Sequence, residues 1–334
     1  MILVSGGTGL LGSHLLFYLI SKGEKVRALK RENSNINNVL KIFSYYSDNA
    51  NELFNKIEWF DADILDSDSI IESMIGIKQV YHTAAIVSFN PNDKEKMIKT
   101  NISGTANMVN AAIANNIEKF CHVSSISALG DTDDIITEET FRKPGNRYSG
   151  YSISKYRSEL EVWRGITEGL NAVIVNPSII LGAGNWTKGS SSIFYNLWKG
   201  MRFYSSGSTG YVDIEDVIKI MIYLMESDIN NERFIVSTEN LAYKDVFNKI
   251  SDSLGIQKPT IYANSFVLSL AWRLNYLFSL FSGKSPKITK EIASSAQTKS
   301  VYSNEKTVNV LSYRFLPINE SINKISALFK NDFI

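Results

Sequence analysis

The sequence predicts a doubly wound parallel α/β fold with helices on both sheet faces and a smaller, mainly helical C-terminal lobe. Three observations predict it. The apolar segment Ile2–Val4 runs directly into a turn carrying Gly6, Gly9 and Gly12 and then into a helical stretch, Leu10–Ile20. Short apolar strands then alternate with helical segments through the first two-thirds of the chain, the pattern that joins parallel strands. In the last third that alternation stops.

The elements follow in order. The glycines after the first strand allow a tight turn and close backbone approach, and the first-turn amides of the next helix face outward as an anion site. Further strands are expected at Lys25–Lys30, Ile57–Ala62, Gln79–His82, Lys119–Ser124 and Asn171–Asn176. A last one, Arg233–Ser237, follows the helix Ile214–Glu226. The stretch Asn33–Asn51 is rich in Asn and Ser and reads as a surface loop leading into a helix. This layout predicts a dinucleotide-binding domain of residues 1–181 with 212–238, and a substrate lobe of residues 182–211 and 239–334. Ligands of such sheets bind in the crevice at the carboxyl ends of the strands.

Bulk properties narrow the function classes. Among 334 residues, 35 Lys and Arg balance 34 Asp and Glu, so the chain carries no nucleic-acid footprint. One cysteine, Cys121, excludes an intrachain disulfide framework. The first strand begins at residue 2, which predicts no signal peptide, and no apolar run is long and clean enough to span a bilayer. The expectation is a cytoplasmic protein.

The candidate chemistry lies at Tyr151-Ser-Ile-Ser-Lys155, which sets a phenol and an ammonium four residues apart on one helix face. A tyrosine titrates near pH ~10 in isolation, so a nearby cation is what makes its proton useful. Spacing alone does not choose this pair, because Tyr18/Lys22, Tyr195/Lys199 and Tyr302/Lys306 repeat the pattern. Position chooses it. Tyr151 follows the strand Cys-His-Val-Ser-Ser-Ile-Ser, whose polar end, Ser124–Ser127, emerges in the same crevice as the glycine loop.

Several motifs in a fixed order carry a family resemblance: Gly6, Gly9 and Gly12; Asp63-Ile64; Tyr81-His-Thr-Ala-Ala85; Asn101-Ile-Ser-Gly-Thr105; Ser124-Ser125; Tyr151/Lys155; Asn176-Pro-Ser-Ile-Ile-Leu-Gly182; and Gly210–Val217. The chain resembles the extended short-chain dehydrogenase/reductase family, part of the NAD-dependent epimerase/dehydratase superfamily, whose nucleotide domain is of Rossmann type. Tyr204, Gly210, Val212, Asp213 and Asp216, with Asn176–Gly182, look most like its dihydroflavonol-reductase-like branch. The resemblance implies a homodimer through helices Lys94–Asn115 and Gly150–Gly169, and a small-molecule substrate.

It also implies roles. Ser125, Tyr151, Lys155 and Asn101 would be catalytic: Ser125 bonds the reacting oxygen, Tyr151 is the acid, Lys155 lowers the Tyr151 pKa and holds the nicotinamide ribose, and Asn101 orders a relay water or serves structure. Gly6, Thr8, Gly9, Leu10, Leu11 and Gly12 would cradle the phosphates. Asp63 and Ile64 would meet the adenine, Ala84, Ala85 and Ser124 would floor the ribose and nicotinamide, and Pro177, Ser178 and Ile179 would meet the carboxamide. For the cofactor, the second strand ends Val26-Arg-Ala-Leu-Lys-Arg31 with no acid to grip ribose hydroxyls. Lys30 and Arg31 instead offer cations to a 2'-phosphate, which predicts NADP(H), with NAD the alternative.

The expected reaction is reduction of a ketone or aldehyde. Sugar dehydratases of this family follow the catalytic Ser/Thr with an Asp-Glu pair, where this chain has Ile126-Ser127. Epimerases place an Arg before the Val-Asp-Val-like segment, where this chain has Ser205–Gly210, although Lys188, Lys199 and Arg202 could anchor a sugar nucleotide. An NAD-retaining nucleotide-sugar epimerase is therefore the alternative, and a non-catalytic NADP-binding redox sensor a second one. Phe194, Tyr195, Trp198, Phe203 and Tyr204 predict an apolar substrate. The apolar stretch Ser265–Phe281, with Trp272, Leu274, Leu277, Phe278 and Phe281 around Arg273 and Asn275, is expected to pack as a cap on the substrate crevice; a membrane-surface helix is the alternative. His14, His82 and His122 are dispersed among the inferred elements and predict no metal site.

Overall fold

A computed structural model describes residues 1–146, 148–282, 286 and 289–334. Seven strands form one sheet: β1 Ile2–Ser5, β2 Val26–Lys30, β3 Glu58–Asp61, β4 Gln79–His82, β5 Lys119–Val123, β6 Ala172–Pro177 and β7 Glu232–Val236. Their order is β7-β6-β5-β4-β1-β2-β3, and every neighbouring pair is parallel. The chain thus builds outward from β1 to β3, then crosses back and builds the other way from β4. That reversal opens a crevice at the carboxyl ends of β1 and β4, where the predicted site residues fall.

The strand centres are apolar on both faces because both faces are covered. Ile2, Val4, Val26, Ala28, Val173 and Val175 point to the face covered by helices Leu10–Ser21 and Ile214–Glu226. Their alternates Leu3, Leu29, Val80, Phe120 and Ile174 point to the face covered by Ser67–Ser73, Lys94–Ala114 and Gly150–Thr167. The last two helices pack along each other so closely that a Cβ on Gly165 would lie 2.5 Å from Val109 Cγ1.

The accessory region holds more strand than its sequence pattern shows. Glu239–Ala242, Ser208–Asp213 and Ile179–Leu181 form a three-stranded sheet, and Phe203–Tyr204 pairs with Ile261–Tyr262. These strands are two to six residues long, too short to carry a readable alternation. A separate core joins Trp186, Phe194, Leu197, Tyr211, Ile322 and Phe329. Phe194 is fully buried in it, and Tyr195 and Trp198 pack on Phe333 at ring separations of 5.7 and 5.4 Å. These three aromatics hold the lobe together, so the expectation that they line an apolar substrate pocket is corrected. Phe203 stays exposed, and Tyr204 stacks obliquely on Tyr262.

The apolar helix spans Ser265–Ser282 and does not pack as the expected cap. Phe266, Leu270, Leu274 and Phe278 recur every four residues and form one exposed stripe, with Phe266 74 % and Phe278 67 % exposed. The Arg273 guanidinium, itself exposed, lies 4.7 Å from the Trp272 ring centroid on the same helix. Leu277 and Phe281, part of the same expectation, lie outside the described side chains. Substituting Leu274→Ser or Phe278→Ser should change the unfolding free energy by no more than about 0.5 kcal/mol, the range for exposed positions. A loss of about 2 kcal/mol or more in urea denaturation would show instead that the stripe is buried.

Candidate active site

The glycine loop is built by close approach. Gly6 has φ +71°, and a Cβ there would lie 2.6 Å from the Ala84 nitrogen. At Gly12 a Cβ would sit 2.2 Å from the Gly6 carbonyl oxygen, so only hydrogen lets the helix settle on the turn. Gly9 caps the helix without a side chain, and the Gly9 amide donates to Gly6 O at 2.9 Å. Thr8 and Leu10 are half-buried beside it, whereas the Leu11 side chain belongs to the sheet core, leaving only its backbone to the loop.

Beyond β2 and β3 lies an open cavity of about 620 Å³, lined by Arg31, Asn33, Ser34, Asp61, Asp63 and Ser69 among others. Here the structure supplies an acid that the second strand lacks. The β2–β3 register sets Lys30 opposite Asp61, and the two form an ion pair. Lys30 is thereby neutralised, while Arg31 is exposed and, among the described residues, has no ion-pair partner. The Asp63 carboxylate accepts from the Leu65 amide at 2.9 Å. Ile64 wedges against Gly104 on the helix Lys94–Ala114, and its carbonyl accepts from Asn107.

At the other end of the crevice, Ser125 follows β5 and caps a short turn, its Oγ accepting from the Ser127 amide at 3.1 Å. Ser149 caps the helix Gly150–Thr167, whose first turns carry Tyr151 and Lys155. Burial pushes the Tyr151 phenol above its ordinary value, and a hydrogen bond to Ser125 works the other way. Lys155 is buried and donates to the Val123 carbonyl at 2.7 Å. Desolvation lowers it to about 8, with the charge of Glu159 opposing that fall. No hydrogen bond joins Lys155 to Tyr151 among the described residues, so in this state Ser125, not Lys155, is what favours the phenolate.

The remaining predicted residues divide between cavity wall and scaffold. Asn101 spends its whole amide on structure: Nδ2 donates to Ile86 O at 2.9 Å and to Ser154 Oγ at 3.0 Å, and Oδ1 accepts from the Ile86 amide at 2.7 Å. Ser124 points away from the crevice and donates to Glu159 Oε2 at 2.7 Å. Ala84 and Ala85 are half-buried just past β4. Pro177 ends β6, the Ser178 amide donates to Val236 O at 3.0 Å, and Ile179 opens a strand of the small sheet. The competing Tyr-x-x-x-Lys lysines are engaged elsewhere: Lys22 with Glu226, Lys199 over the Trp198 ring and Lys306 with Glu232.

Four residues enter that sequence reasoning did not single out. Glu159, one helical turn beyond Lys155, gathers donors from four positions. Arg233 on β7 pairs with it at 2.8 Å. Arg142 is sandwiched between the Tyr148 and Tyr156 rings, 4.0 and 4.5 Å from their centroids, and donates to Ser127 O, fixing the turn after Ser125. Phe89 sets its ring edge against Tyr151 at 5.9 Å. The i,i+4 spacing of Lys155 and Glu159 was visible in the sequence; the other three come from distant segments.

The dispersed histidines prove partly adjacent. Register across β4 and β5 pairs His82 with His122, and their rings stack at 5.3 Å beneath the site. Ser5 and Thr105 satisfy both nitrogens of His82, while among the described residues His122 has no hydrogen-bond partner. No group of side chains suited to a metal ion occurs among the described residues. Likewise no helix among them is long and apolar enough to cross a membrane.

Comparison with known proteins agrees with this geometry. The model of the NAD dependent epimerase/dehydratase family matches residues 2–237. The chain belongs to that family. Among relatives of this epimerase/dehydratase chain, a putative dihydroflavonol 4-reductase from Synechocystis is 26% identical over 98% of the chain and 94% of the relative. Sterol demethylase protein B from Methylococcus capsulatus is 27% identical, over 78% and 76% respectively. The solved structure of gox2253 superposes with a TM-score of 0.81 at 27% identity, covering 100% of this chain and 98% of that one. The protein is thus an NAD(P)-binding member of the extended short-chain dehydrogenase/reductase group, with a Rossmann-type sheet.

Burial pushes His82 down to about 3 and His14 to about 4, and holds His122 well below its ordinary value. The unfolded chain takes up protons at these positions below about pH 6.5, and the folded protein does not, so stability falls as pH drops from 6.5 toward 4. His122 leaves no partner behind when replaced. His122→Phe should flatten that fall by about 1.4 kcal/mol per pH unit between pH 6 and 4.5 in urea denaturation. Equal slopes for the two proteins would mean that His122 is protonated in the fold.

Proposed function

We propose that the chain is an NADP(H)-dependent carbonyl reductase acting on a small, largely apolar ketone or aldehyde. The observation that carries this reading is the convergence of Ser125, Tyr151 and Lys155 at the strand ends next to the glycine loop, with Ser125 near enough to the Tyr151 phenol to hold its pKa down against burial, and Lys155 bound to the Val123 carbonyl beneath. Phe89 beside Tyr151 supports an apolar substrate, as do relatives named for sterol and dihydroflavonol chemistry.

The residues fit a dinucleotide because the loop excludes any Cβ at Gly6 and Gly12 and leaves the helix start without a side-chain cap. Gly6, Thr8, Gly9 and Gly12, with the backbone at Leu10 and Leu11, would hold the pyrophosphate. Arg31 would take the 2'-phosphate, with Lys30 shared against Asp61, and Asp63 and Ile64 would meet the adenine. Ala84, Ala85 and the Pro177–Ile179 segment would frame the nicotinamide end. When bound, a reduced nicotinamide supplies the hydride.

The chain's own residues do the rest. Ser125 donates to the substrate oxygen and steadies the negative charge that develops there. Tyr151 is protonated at neutral pH, since burial raises its pKa, and gives its proton to that oxygen. Lys155, charged, would hold the ribose and stabilise the phenolate left behind. Asn101 fixes the segment after β4 against the helix that carries Tyr151. A homodimer through helices Lys94–Ala114 and Gly150–Thr167, where Leu160 is exposed, belongs to this proposal.

A second reading, a sugar-nucleotide epimerase that retains NAD, is favoured by one observation: Asp61 lines the cavity and cancels Lys30. Titration with NADPH and NADH by fluorescence separates the two, because tighter NADH binding would show that Arg31 does not take a phosphate. For the reaction, Tyr151→Phe should lower kcat at least about 100-fold in a spectrophotometric screen of ketones and aldehydes, while cofactor affinity changes little. Full activity in that variant would remove Tyr151 from the proton step. UDP-sugar turnover without net NADPH oxidation would support the epimerase.

A further inference from the structure

Four donors converge on Glu159, a carboxylate only 3% exposed and one turn beyond Lys155. Oε2 accepts from Ser124 Oγ at 2.7 Å and Asn176 Nδ2 at 2.9 Å. Oε1 accepts from Arg233 Nη1 at 2.8 Å and Trp163 Nε1 at 3.3 Å. These partners come from the end of β5, from β6, from β7 and from the helix itself. Asn176 Nδ2 donates onward to the Ser125 carbonyl at 3.0 Å, so the carboxylate is tied to the backbone of the serine that faces Tyr151. Arg233 in turn is bound by the Glu138 carbonyl, and a Glu138 carboxylate oxygen accepts from the Ile235 amide at 2.8 Å. Every polar bond of this group is internal, and none reaches the crevice.

A buried carboxylate with this many donors has an electrostatic consequence for its neighbour. The charged and titratable groups facing Lys155 are Tyr151 and Glu159 on its own helix, His82 on β4 and His122 on β5, with Arg233 on β7 behind Glu159. The two histidines are held neutral by burial and lend the ammonium no negative charge. Glu159 is therefore the anion that compensates Lys155 in a desolvated site.

We propose that Glu159 is a positioning residue that sets the active site from behind: its carboxylate registers the Ser124–Ser125 strand end against the Tyr151 helix and keeps the Lys155 ammonium charged. The proposal deepens the carbonyl-reductase reading and rests on it for the use to which Lys155 is put. The state of Lys155 itself can be measured without any substrate.

The test uses full-length protein with lysine labelled by ¹³C at Cε, the Lys155 resonance assigned by its loss in Lys155→Met. In the native protein the titration midpoint should fall near 8. Glu159→Gln, which keeps the side-chain shape, should lower it by a unit or more. The alkaline limb of the reductase pH profile should move with it, so for a one-unit fall the ratio of rates at pH 8 to pH 6 drops about fivefold. Because Glu159→Gln leaves Arg233 without its counter-ion, the double variant Glu159→Leu with Arg233→Met removes both charges together, an exchange that buried pairs often tolerate. Its Lys155 midpoint should also fall. An unchanged midpoint in either folded variant overturns the proposal. A shifted midpoint in a protein that reduces no carbonyl would overturn the reductase reading and leave the role of Glu159 toward Lys155 standing.

Discussion

Keeping an ammonium and a carboxylate out of water beneath the ends of the strands, beside a half-buried guanidinium, is the constraint on which the crevice depends. Lys155, Glu159 and Arg233 lie on two elements, and each alone would be costly to desolvate. Together they are compensated, and the hydrogen bonds that complete the compensation are the ones that fix geometry. Ser124 and Asn176 bind the carboxylate, Asn176 binds the Ser125 carbonyl, and Lys155 binds the Val123 carbonyl. The strand that presents Ser125 and the helix that presents Tyr151 are therefore held to one another by buried polar bonds as well as by apolar packing.

At the opposite end of the crevice the ordering principle is steric. The glycine loop works because backbone occupies the space where Cβ atoms would stand, and the same approach brings Ala84 against Gly6. β1 and β4, separated by two strands in sequence, become neighbours at the reversal of strand order. The consequence is a crevice whose glycine end is defined by the absence of side chains and whose Ser125–Tyr151 end is defined by buried ones. Between these, at the edge formed by β2 and β3, Lys30 pairs with Asp61 while Arg31 stays exposed.

Much of this was legible in the order of residues. Strand positions emerged because a doubly covered parallel sheet needs uninterrupted apolar runs, and the seven observed strands lie within a residue or two of the predicted ones. Ser125, Tyr151 and Lys155 were legible because a family pattern and a helical spacing coincide on them. The aromatics of the accessory lobe were misread, since a burial-prone ring at helical spacing looks the same whether it meets a ligand or Phe333. The apolar helix Ser265–Ser282 was expected to pack, and its exposed stripe shows that apolar composition does not say what an element packs against.

By itself, then, the sequence determined the sheet, the glycine turn and the family, because each is encoded in local spacing. Only the tertiary structure decided which charges meet. Lys30 meets Asp61 through strand register, His82 meets His122 in the same way, and Glu159 collects Ser124, Asn176 and Arg233 from three strands. Electrostatic pairing is a matter of distance in space, and partners 17, 31 or 74 residues apart leave no periodic mark along the chain.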